Sequence, residues 1–183
     1  MTAPSVETER LVLRPMNLED QDRLVEILAN PAVYQFLAMK EAPDKERCAR
    51  MIRKYQRDWE QFGCGNWAVT LKSNPRLLGW CGLNMLDETH EIELLYMLEE
   101  ESWGKGYSSE AARASVRFGF EEAGLERIIA LCFEENIGSQ KVMQRSGLKY
   151  LGKENYFGFE LMLHEILKKD YEAGEDFYLI HKA

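Results

Sequence analysis

The chain has 183 residues, 45 % of them hydrophobic, and a formal net charge of −8. The length suits a single domain spanning 1–183, and the apolar fraction is too high for a disordered chain. Since phosphate contacts need clustered lysine and arginine, the acidic balance argues against nucleic acid or an anionic membrane as the main partner. A cationic acceptor such as an amine would suit it, although an acidic surface that aids solubility explains the charge equally well.

The first half of the chain predicts two helices and an antiparallel meander. A strand at 11–15 precedes a helix capped by Asn17, and a longer helix begins near Asp44 and is closed by Gly63. Three strands joined by short turns follow, which implies antiparallel pairing. These strands are predicted at 67–71, 77–85 and 91–98, with turns at 73–75 and 87–89.

The second half alternates between helices and strands. Ser108 or Ser109 is expected to cap a helix that runs to about Ala123. Because this helix joins the strand 91–98 to a strand at 127–133, the two strands should be parallel, or splayed, neighbours. The remaining predictions are a helix at 138–145, strands at 148–151 and 157–163, a short helix at 164–171, and a tail at 174–183 that pairs at a sheet edge or with a second subunit.

Targeting and metal-binding patterns are not found in the sequence. The polar N-terminus lacks the apolar stretch of a secretory signal, and no apolar run is long enough to span a bilayer. Four scattered cysteines and three histidines show neither a disulfide framework nor a metal-ligand spacing. We therefore expect a cytoplasmic protein with free thiols and no metal.

The strongest local signal is Trp103-Gly104-Lys105-Gly106-Tyr107-Ser108-Ser109-Glu110-Ala111, between a predicted strand and a predicted helix. Two glycines let the backbone approach a ligand closely, and the first-turn N–H groups and the helix dipole favour an anion such as a pyrophosphate. A dinucleotide-binding loop would need a third glycine where Ser109 stands. Taken alone, the loop is equally well explained as a tight turn before a helix.

A second motif, Asn136-Ile137-Gly138-Ser139, lies downstream in a helix that ends at Gly147. Together with the glycine loop and the opening Thr8-Glu9-Arg10-Leu11-Val12-Leu13-Arg14-Pro15, it makes the chain resemble the GNAT superfamily of N-acetyltransferases, in particular its RimJ/RimL-like branch. The resemblance covers about residues 7–172. It implies an α/β (α+β) GNAT fold, with a mixed, mostly antiparallel twisted sheet splayed between its fourth and fifth predicted strands (91–98 and 127–133) and helices on both faces.

The resemblance implies acetyl-coenzyme A as co-substrate. Lys105 is either a charge contact for a phosphate or a solvated side chain, and Asn136 is either a contact for the pantetheine arm or only an N-cap. The implied coenzyme-binding residues are Met97, Leu98, Trp103, Gly104, Lys105, Gly106, Tyr107, Ser108, Ser109, Asn136 and Ser139.

The same resemblance suggests Glu93 as the base that deprotonates the amine and Ser139 as the acid for the departing thiolate. The plainer interpretations are a surface glutamate and an ordinary first-turn serine. Departures from the family pattern are Leu95 for a usual glycine and Met97 for a usual tryptophan. His164 is expected to be packed or exposed rather than a proton donor.

The predicted function is direct transfer of acetyl to a primary amine, because no cysteine adjoins either motif. The acceptor is either the α-amine of a protein, such as a ribosomal protein, or a small amine, and residues 31–64 should decide which. Aromatic side chains that line an acceptor pocket or belong to the core are Trp67, Trp80 and Tyr96. The alternatives are an acetyl-CoA-binding sensor without catalysis and a structural domain, and a homodimer is left open.

Overall fold

The computed structural model describes residues 3–37 and 41–182, in which nine strands form one open mixed sheet. Residues 38–40, part of the segment expected to shape the acceptor side, lie outside the described residues. The strands are β1 (Ser5–Glu7), β2 (Leu11–Pro15), β3 (Asn66–Leu71), β4 (Asn74–Met85), β5 (Ile92–Leu98), β6 (Arg127–Cys132), β7 (Lys149–Tyr156), β8 (Phe159–Leu167) and β9 (Leu179–His181). Their order across the sheet is β7-β8-β6-β5-β4-β3-β2-β1-β9.

The helices lie on both faces of this sheet. They are α1 (Gln21–Leu28), α2 (Pro31–Tyr34), α3 (Lys45–Phe62), α4 (Tyr107–Glu121) and α5 (Ile137–Arg145). Every pairing between neighbouring strands is antiparallel except that of β5 with β6, which is parallel. The GNAT-type architecture expected from the sequence, including its splay, is therefore confirmed.

Alternation along the strands divides the core between the two faces. In β3, Trp67 and Val69 pack with Phe118 of α4, whereas Ala68 between them packs in the cluster that contains residues of α1, α2 and α3. Successive side chains of a strand point to opposite faces, so one strand serves both cores. The Trp67 ring meets the Phe118 ring edge to face, with their centroids 5.0 Å apart.

The long helix α3 begins and ends as its sequence predicts. The Asp44 side chain accepts a hydrogen bond from the Arg47 N–H at 2.7 Å, which caps the helix. Gly63 ends it in the left-handed conformation, with φ of +67°. Tyr55 and Ile52, spaced at the helical period, bring its apolar face onto the sheet.

The helix predicted at 164–171 is wrong. Residues up to Leu167 continue β8, where His164 pairs with Ala130 on one side and Tyr150 on the other, and only a short 3₁₀ turn (Lys168–Asp170) follows. Two neighbouring strands supply partners that a short surface helix would lack, so sheet pairing overrides the helical propensity of this segment.

Three boundaries also differ from the prediction. Neither Ser108 nor Ser109 caps α4, because Gly106 is its N-cap residue and no side chain caps the helix. The strands predicted at 148–151 and 157–163 are longer and are joined by a two-residue turn at Phe157 and Gly158, with φ of +55° and +79°. Asn74 already belongs to β4, so the turn predicted at 73–75 lies earlier.

The tail turns back to the first strand of the same chain. Residues 179–181 form β9, which pairs antiparallel with β1 at the sheet edge. A homodimer stays a prediction.

Candidate active site

The sheet opens between β5 and β6. These parallel strands share a single registered pair, Glu93 with Ile129, whereas β5 pairs with β4 along its whole length. A cavity of about 500 Å³ fills the opening and is bounded by β5, β6, the start of α4 and α5. When two parallel strands joined by a crossover helix diverge, backbone groups at their carboxyl ends are left unpaired. Ligands commonly bind at such a position.

The cavity brings together most of the residues that the sequence singles out. Residues from both motifs and from the end of β5 meet there, although the motifs are about 30 residues apart in the chain. The predicted residues that line it are Met97, Leu98, Trp103, Gly104, Gly106, Tyr107, Ser108, Ser109, Asn136 and Ser139. Lys105 and Glu93 do not line it.

The glycine loop presents unpaired backbone amides to this cavity. Gly104 and Gly106 have φ of +72° and +82°, a conformation that side-chain-bearing residues rarely adopt. In the described part of the chain, the N–H groups of residues 104–109 make no hydrogen bond of good geometry, and only weak turn contacts close the loop at 103–106. These amides and the positive end of the α4 dipole form a site suited to an anion.

The loop is held in place from its far side. Arg10 donates a hydrogen bond to the Lys105 carbonyl at 2.8 Å, and its guanidinium pairs with Glu110 at 2.7 Å. Glu110 also accepts from the Thr8 hydroxyl at 2.6 Å. Although burial acts to raise the pKa of Glu110, the hydrogen bonds from Thr8 and Arg10 hold it below its ordinary value, so this carboxylate stays ionised as a brace.

Two basic side chains of α5, Lys141 and Arg145, line the cavity, against one acidic side chain, Glu135. This wall is therefore basic, although the chain as a whole carries a net charge of −8. Lysine and arginine beside free amides favour a phosphorylated ligand.

Tyr96 and Ser139 meet across the cavity. The Tyr96 hydroxyl lies 2.7 Å from the Ser139 Oγ and donates to the Ser139 carbonyl at 3.0 Å. Asn136 accepts from the Ser139 N–H at 3.0 Å, so it is the N-cap of α5. The cap uses only the side-chain oxygen of Asn136, and its NH₂ group keeps its donors.

Glu93 lies behind the cavity on the α3 side of the sheet. It is 6 % exposed and stands opposite Asn84 in the β4–β5 register. Lys54 of α3 donates to Asn84 at 3.1 Å and to Asp58 at 2.7 Å. Burial raises the pKa of Glu93 to about 7, and Asn84 and Lys54 act in the opposite sense. The interpretation of Glu93 as a surface side chain is wrong, because the carboxyl is buried and poised to titrate near neutral pH.

The other residues considered from the sequence belong to the core. Trp67 and Trp80 are almost fully buried and do not line the cavity. His164 is also buried, lies outside the cavity, and neither of its ring nitrogens has a hydrogen-bond partner in the described structure. Burial lowers the pKa of His164, so it is a packed neutral histidine.

Several lining residues lie outside the sites that the sequence predicts. The sequence predicts Tyr96 only as an acceptor-pocket or core aromatic, and it predicts no site role for Lys141, Arg145 or Cys132. The alternation of β5 contained a signal for Tyr96, because Leu94, Tyr96 and Leu98 share the face opposite Glu93.

The comparisons with known proteins agree with this geometry. Residues 10–149 match the family model described as "Acetyltransferase (GNAT) domain". The chain belongs to this family. It is 32 % identical to the "Uncharacterized N-acetyltransferase p20" of Bacillus licheniformis, over 90 % of this chain and 96 % of that protein. The acetyltransferase from Agrobacterium tumefaciens str. C58 has a similar structure, with a TM-score of 0.81 and 25 % identity over 91 % of this chain and 95 % of that one. RimL, a ribosomal L7/L12 alpha-N-protein acetyltransferase solved in complex with coenzyme A, shares the fold at 16 % identity, with a TM-score of 0.74 over 87 % of this chain and 95 % of that one.

This GNAT protein is thus an acetyltransferase, and GNAT acetyltransferases use acetyl-CoA. Residues 3–37 and 41–182 contain no group of three or more His, Cys, Asp or Glu side chains placed to hold a metal ion. Over the same residues, no helix has the length and hydrophobicity needed to cross a bilayer.

Proposed function

We propose that this GNAT acetyltransferase transfers acetyl directly from acetyl-CoA to a primary amine while both substrates are bound. The observation that carries the proposal is the cavity through the β5–β6 opening. One wall offers free amides and cations for a diphosphate, and the other is apolar and formed by Val33, Phe36 and Leu37 near α2. With acetyl-CoA bound at the amide-lined wall and the amine bound at the apolar wall, the two substrates would meet within the opening of the sheet.

The amides of residues 104–109 are assigned to the diphosphate, with Lys141 and Arg145 as neighbouring charges. The pantetheine arm would then run along Met97 and Leu98 at the end of β5, where a backbone N–H can polarise the thioester carbonyl. The Asn136 NH₂ group is assigned to the same arm. Acetyl-CoA fits the residues present because the site combines an anion cradle with an apolar slot.

Direct transfer agrees with the state of Cys132, the one cysteine among the described lining residues. Burial raises the pKa of its thiol to about 11. At pH 7 only about one thiol in ten thousand would be ionised, which makes a covalent acetyl-cysteine intermediate unfavourable. All four cysteines are free and buried, which suits work in a reducing compartment such as the cytoplasm.

Glu93 is assigned as the base that removes the amine proton through water. It lies on the same face of β5 as Leu95, which lines the cavity, and so stands one strand repeat, about 7 Å, from the cavity wall. A general base works best when its pKa is near the working pH, and the pKa of about 7 for Glu93 satisfies this condition.

The acceptor is either a protein α-amine or a small amine. The apolar end near α2 favours an amine borne on a hydrophobic group over a polycation, because no charged side chain of the described residues lines that end. A protein N-terminus is supported by the likeness to RimL, an α-N-protein acetyltransferase. Its α-amine pKa of about 7.7–8.0 also makes it easier to deprotonate than a lysine at about 10.4.

The test is release of CoA thiol from acetyl-CoA in the presence of amines. The panel contains peptides with free or blocked N-termini, phenylethylamine and spermidine. We expect amine-dependent release with a peptide or phenylethylamine and little with spermidine. Tight CoA binding without release for any amine would favour the sensor instead, and absence of CoA binding would overturn the proposal.

A further inference from the structure

The hydroxyls of Tyr96 and Ser139 form a pair whose hydrogens have alternative acceptors. Each hydroxyl carries one hydrogen, and the two oxygens are 2.7 Å apart. Tyr96 can donate either to the Ser139 carbonyl, at 3.0 Å, or to the Ser139 Oγ. When Tyr96 donates to the Ser139 Oγ, the hydroxyl hydrogen of Ser139 points away from Tyr96 and is available to a third group.

The pair lies in the part of the cavity to which the pantetheine arm is assigned, since Tyr96 adjoins Met97 and Ser139 accompanies Asn136. Both residues line the cavity, and Cys132 of β6 lines it beside them. Ser139 already acts on that cysteine: burial raises the pKa of the Cys132 thiol, and the Ser139 side chain lowers it. Ser139 and Cys132 both line the cavity between β5, β6 and α5, and the Ser139 side chain acts in the direction that favours the charged form of a thiol.

Tyr96 remains a neutral phenol throughout the physiological range. Burial raises its pKa far above its ordinary value, and the hydrogen bond with Ser139 acts against that rise. A hydroxyl that never ionises is always available as a donor, so Tyr96 can hold the Ser139 oxygen at every working pH.

We propose that Tyr96 is a positioning residue for the departing coenzyme thiolate, an inference that rests on the proposed function. In this hydrogen-bond chain, the Tyr96 hydroxyl donates to the Ser139 Oγ, and the Ser139 hydroxyl donates to the thiolate sulfur. Donation by Tyr96 polarises the Ser139 hydroxyl and turns its hydrogen towards the sulfur. Hydrogen bonds to charged groups are stronger than neutral ones, so the chain strengthens as negative charge grows on sulfur.

In this step Ser139 keeps its proton. The amine nitrogen bonds to the acetyl carbon, the carbon–sulfur bond breaks, and its electron pair goes to sulfur. The proton lost by the amine balances the charge. A hydroxyl whose pKa is near that of water, about 15.7, does not yield its proton to a thiolate whose thiol has a pKa of about 8.5, but it stabilises that thiolate as a donor.

The test compares Tyr96→Phe, Ser139→Ala and the double variant with wild type. Tyr156→Phe is the matched control, because Tyr156 also loses a hydroxyl hydrogen bond, to Glu91, but lies outside the cavity. Calorimetry gives the affinities of CoA and of desulfo-CoA, which lacks the thiol, at pH 6.5 and pH 9. Acetyl-transfer kinetics are measured on the same proteins.

We expect the CoA to desulfo-CoA affinity ratio at pH 9 to fall about threefold to tenfold in Tyr96→Phe and to be unchanged at pH 6.5. The kcat should fall by a similar factor, with KM for acetyl-CoA unchanged. Ser139→Ala should lower kcat about tenfold to hundredfold. Adding Tyr96→Phe to Ser139→Ala should change nothing further, because Tyr96 acts through Ser139.

The inference is overturned if Tyr96→Phe leaves the pH 9 ratio at the wild-type value, or if it lowers kcat equally with and without Ser139. A similar loss in Tyr156→Phe would also overturn it. Wild-type protein that binds neither CoA nor desulfo-CoA contradicts the proposed function instead. The binding arm needs no acceptor, so failure to find the amine leaves this test intact.

Discussion

Replacing Gly104 by alanine isolates the role of the glycine loop, because the chain contains a matched control. Gly104 and Gly124 have φ of +72° and +68°, and an added Cβ meets nothing within 4 Å at either position. Alanine should therefore cost the same backbone strain at both, about 1–2 kcal/mol. At about 2–4 °C per kcal/mol for a domain of this size, the two variants should melt at similar, slightly lowered temperatures.

Their responses to CoA should differ, because only Gly104 lines the cavity. At 100 times its dissociation constant, CoA should stabilise wild type and Gly124→Ala by about 2.7 kcal/mol. A methyl group on the face of the loop where a phosphate approaches should weaken binding about tenfold, which leaves about 1.4 kcal/mol at the same concentration. Thermal melts with and without CoA, supported by calorimetric affinities, measure both quantities. Equal retention of CoA affinity in the two variants, or equal loss, would refute the diphosphate assignment.

Glu93, Cys132 and His164 have shifted pKa values that can each be tested. Glu93→Gln should lower kcat/KM about 10²- to 10⁴-fold and abolish the rise in activity with pH near 7, since the base works only when deprotonated. An unchanged rise in the pH–rate profile of this variant would exclude Glu93 as the base. Oxidised CoA, the symmetrical disulfide, should exchange onto Cys132 and release one CoA thiolate. The exchange should be faster at pH 9 than at pH 7, because burial raises the pKa of the Cys132 thiol to about 11. Peptide mass mapping that finds the adduct on Cys48, Cys64 or Cys81 would contradict the placement of the coenzyme sulfur near Cys132. His164 has a lowered pKa in the folded state, so the unfolded chain binds the proton first and the free energy of unfolding should fall as pH drops below about 6.5. Urea denaturation at pH 7.5 and pH 5 should show a smaller fall in His164→Gln, and an equal fall would assign the effect to other groups.

The elements that the sequence predicts well are those with local physical causes. Asp44 and Gly63 mark the ends of α3 through a side-chain cap and a left-handed residue. The glycines at 104 and 106 mark the proposed anion site through their backbone freedom. The parallel pairing of β5 and β6 is predicted by the crossover helix that joins them, whereas the splayed sheet is what the family resemblance implies.

The parts that the sequence did not reveal depend on contacts between distant residues. Tyr96 and Ser139 are 43 positions apart, and nothing local to either residue indicates that they touch. The burial of Glu93 depends on the packing of α3 against the sheet. The segment that contains His164 has helical propensity but joins β8, because β6 and β7 provide hydrogen-bond partners on both sides.

The single registered pair between β5 and β6 has a mechanical consequence. Backbone hydrogen bonds tie six strands, from β9 to β5, into one block and three strands, β6 to β8, into another, and the blocks meet in the ladder only at Glu93 and Ile129. Packing of α4 and α5 adds to the stiffness across this seam. A ligand wedged into the seam would bridge the two blocks, so amide hydrogen exchange at the ends of β5 and β6 should slow on coenzyme binding more than exchange within either block.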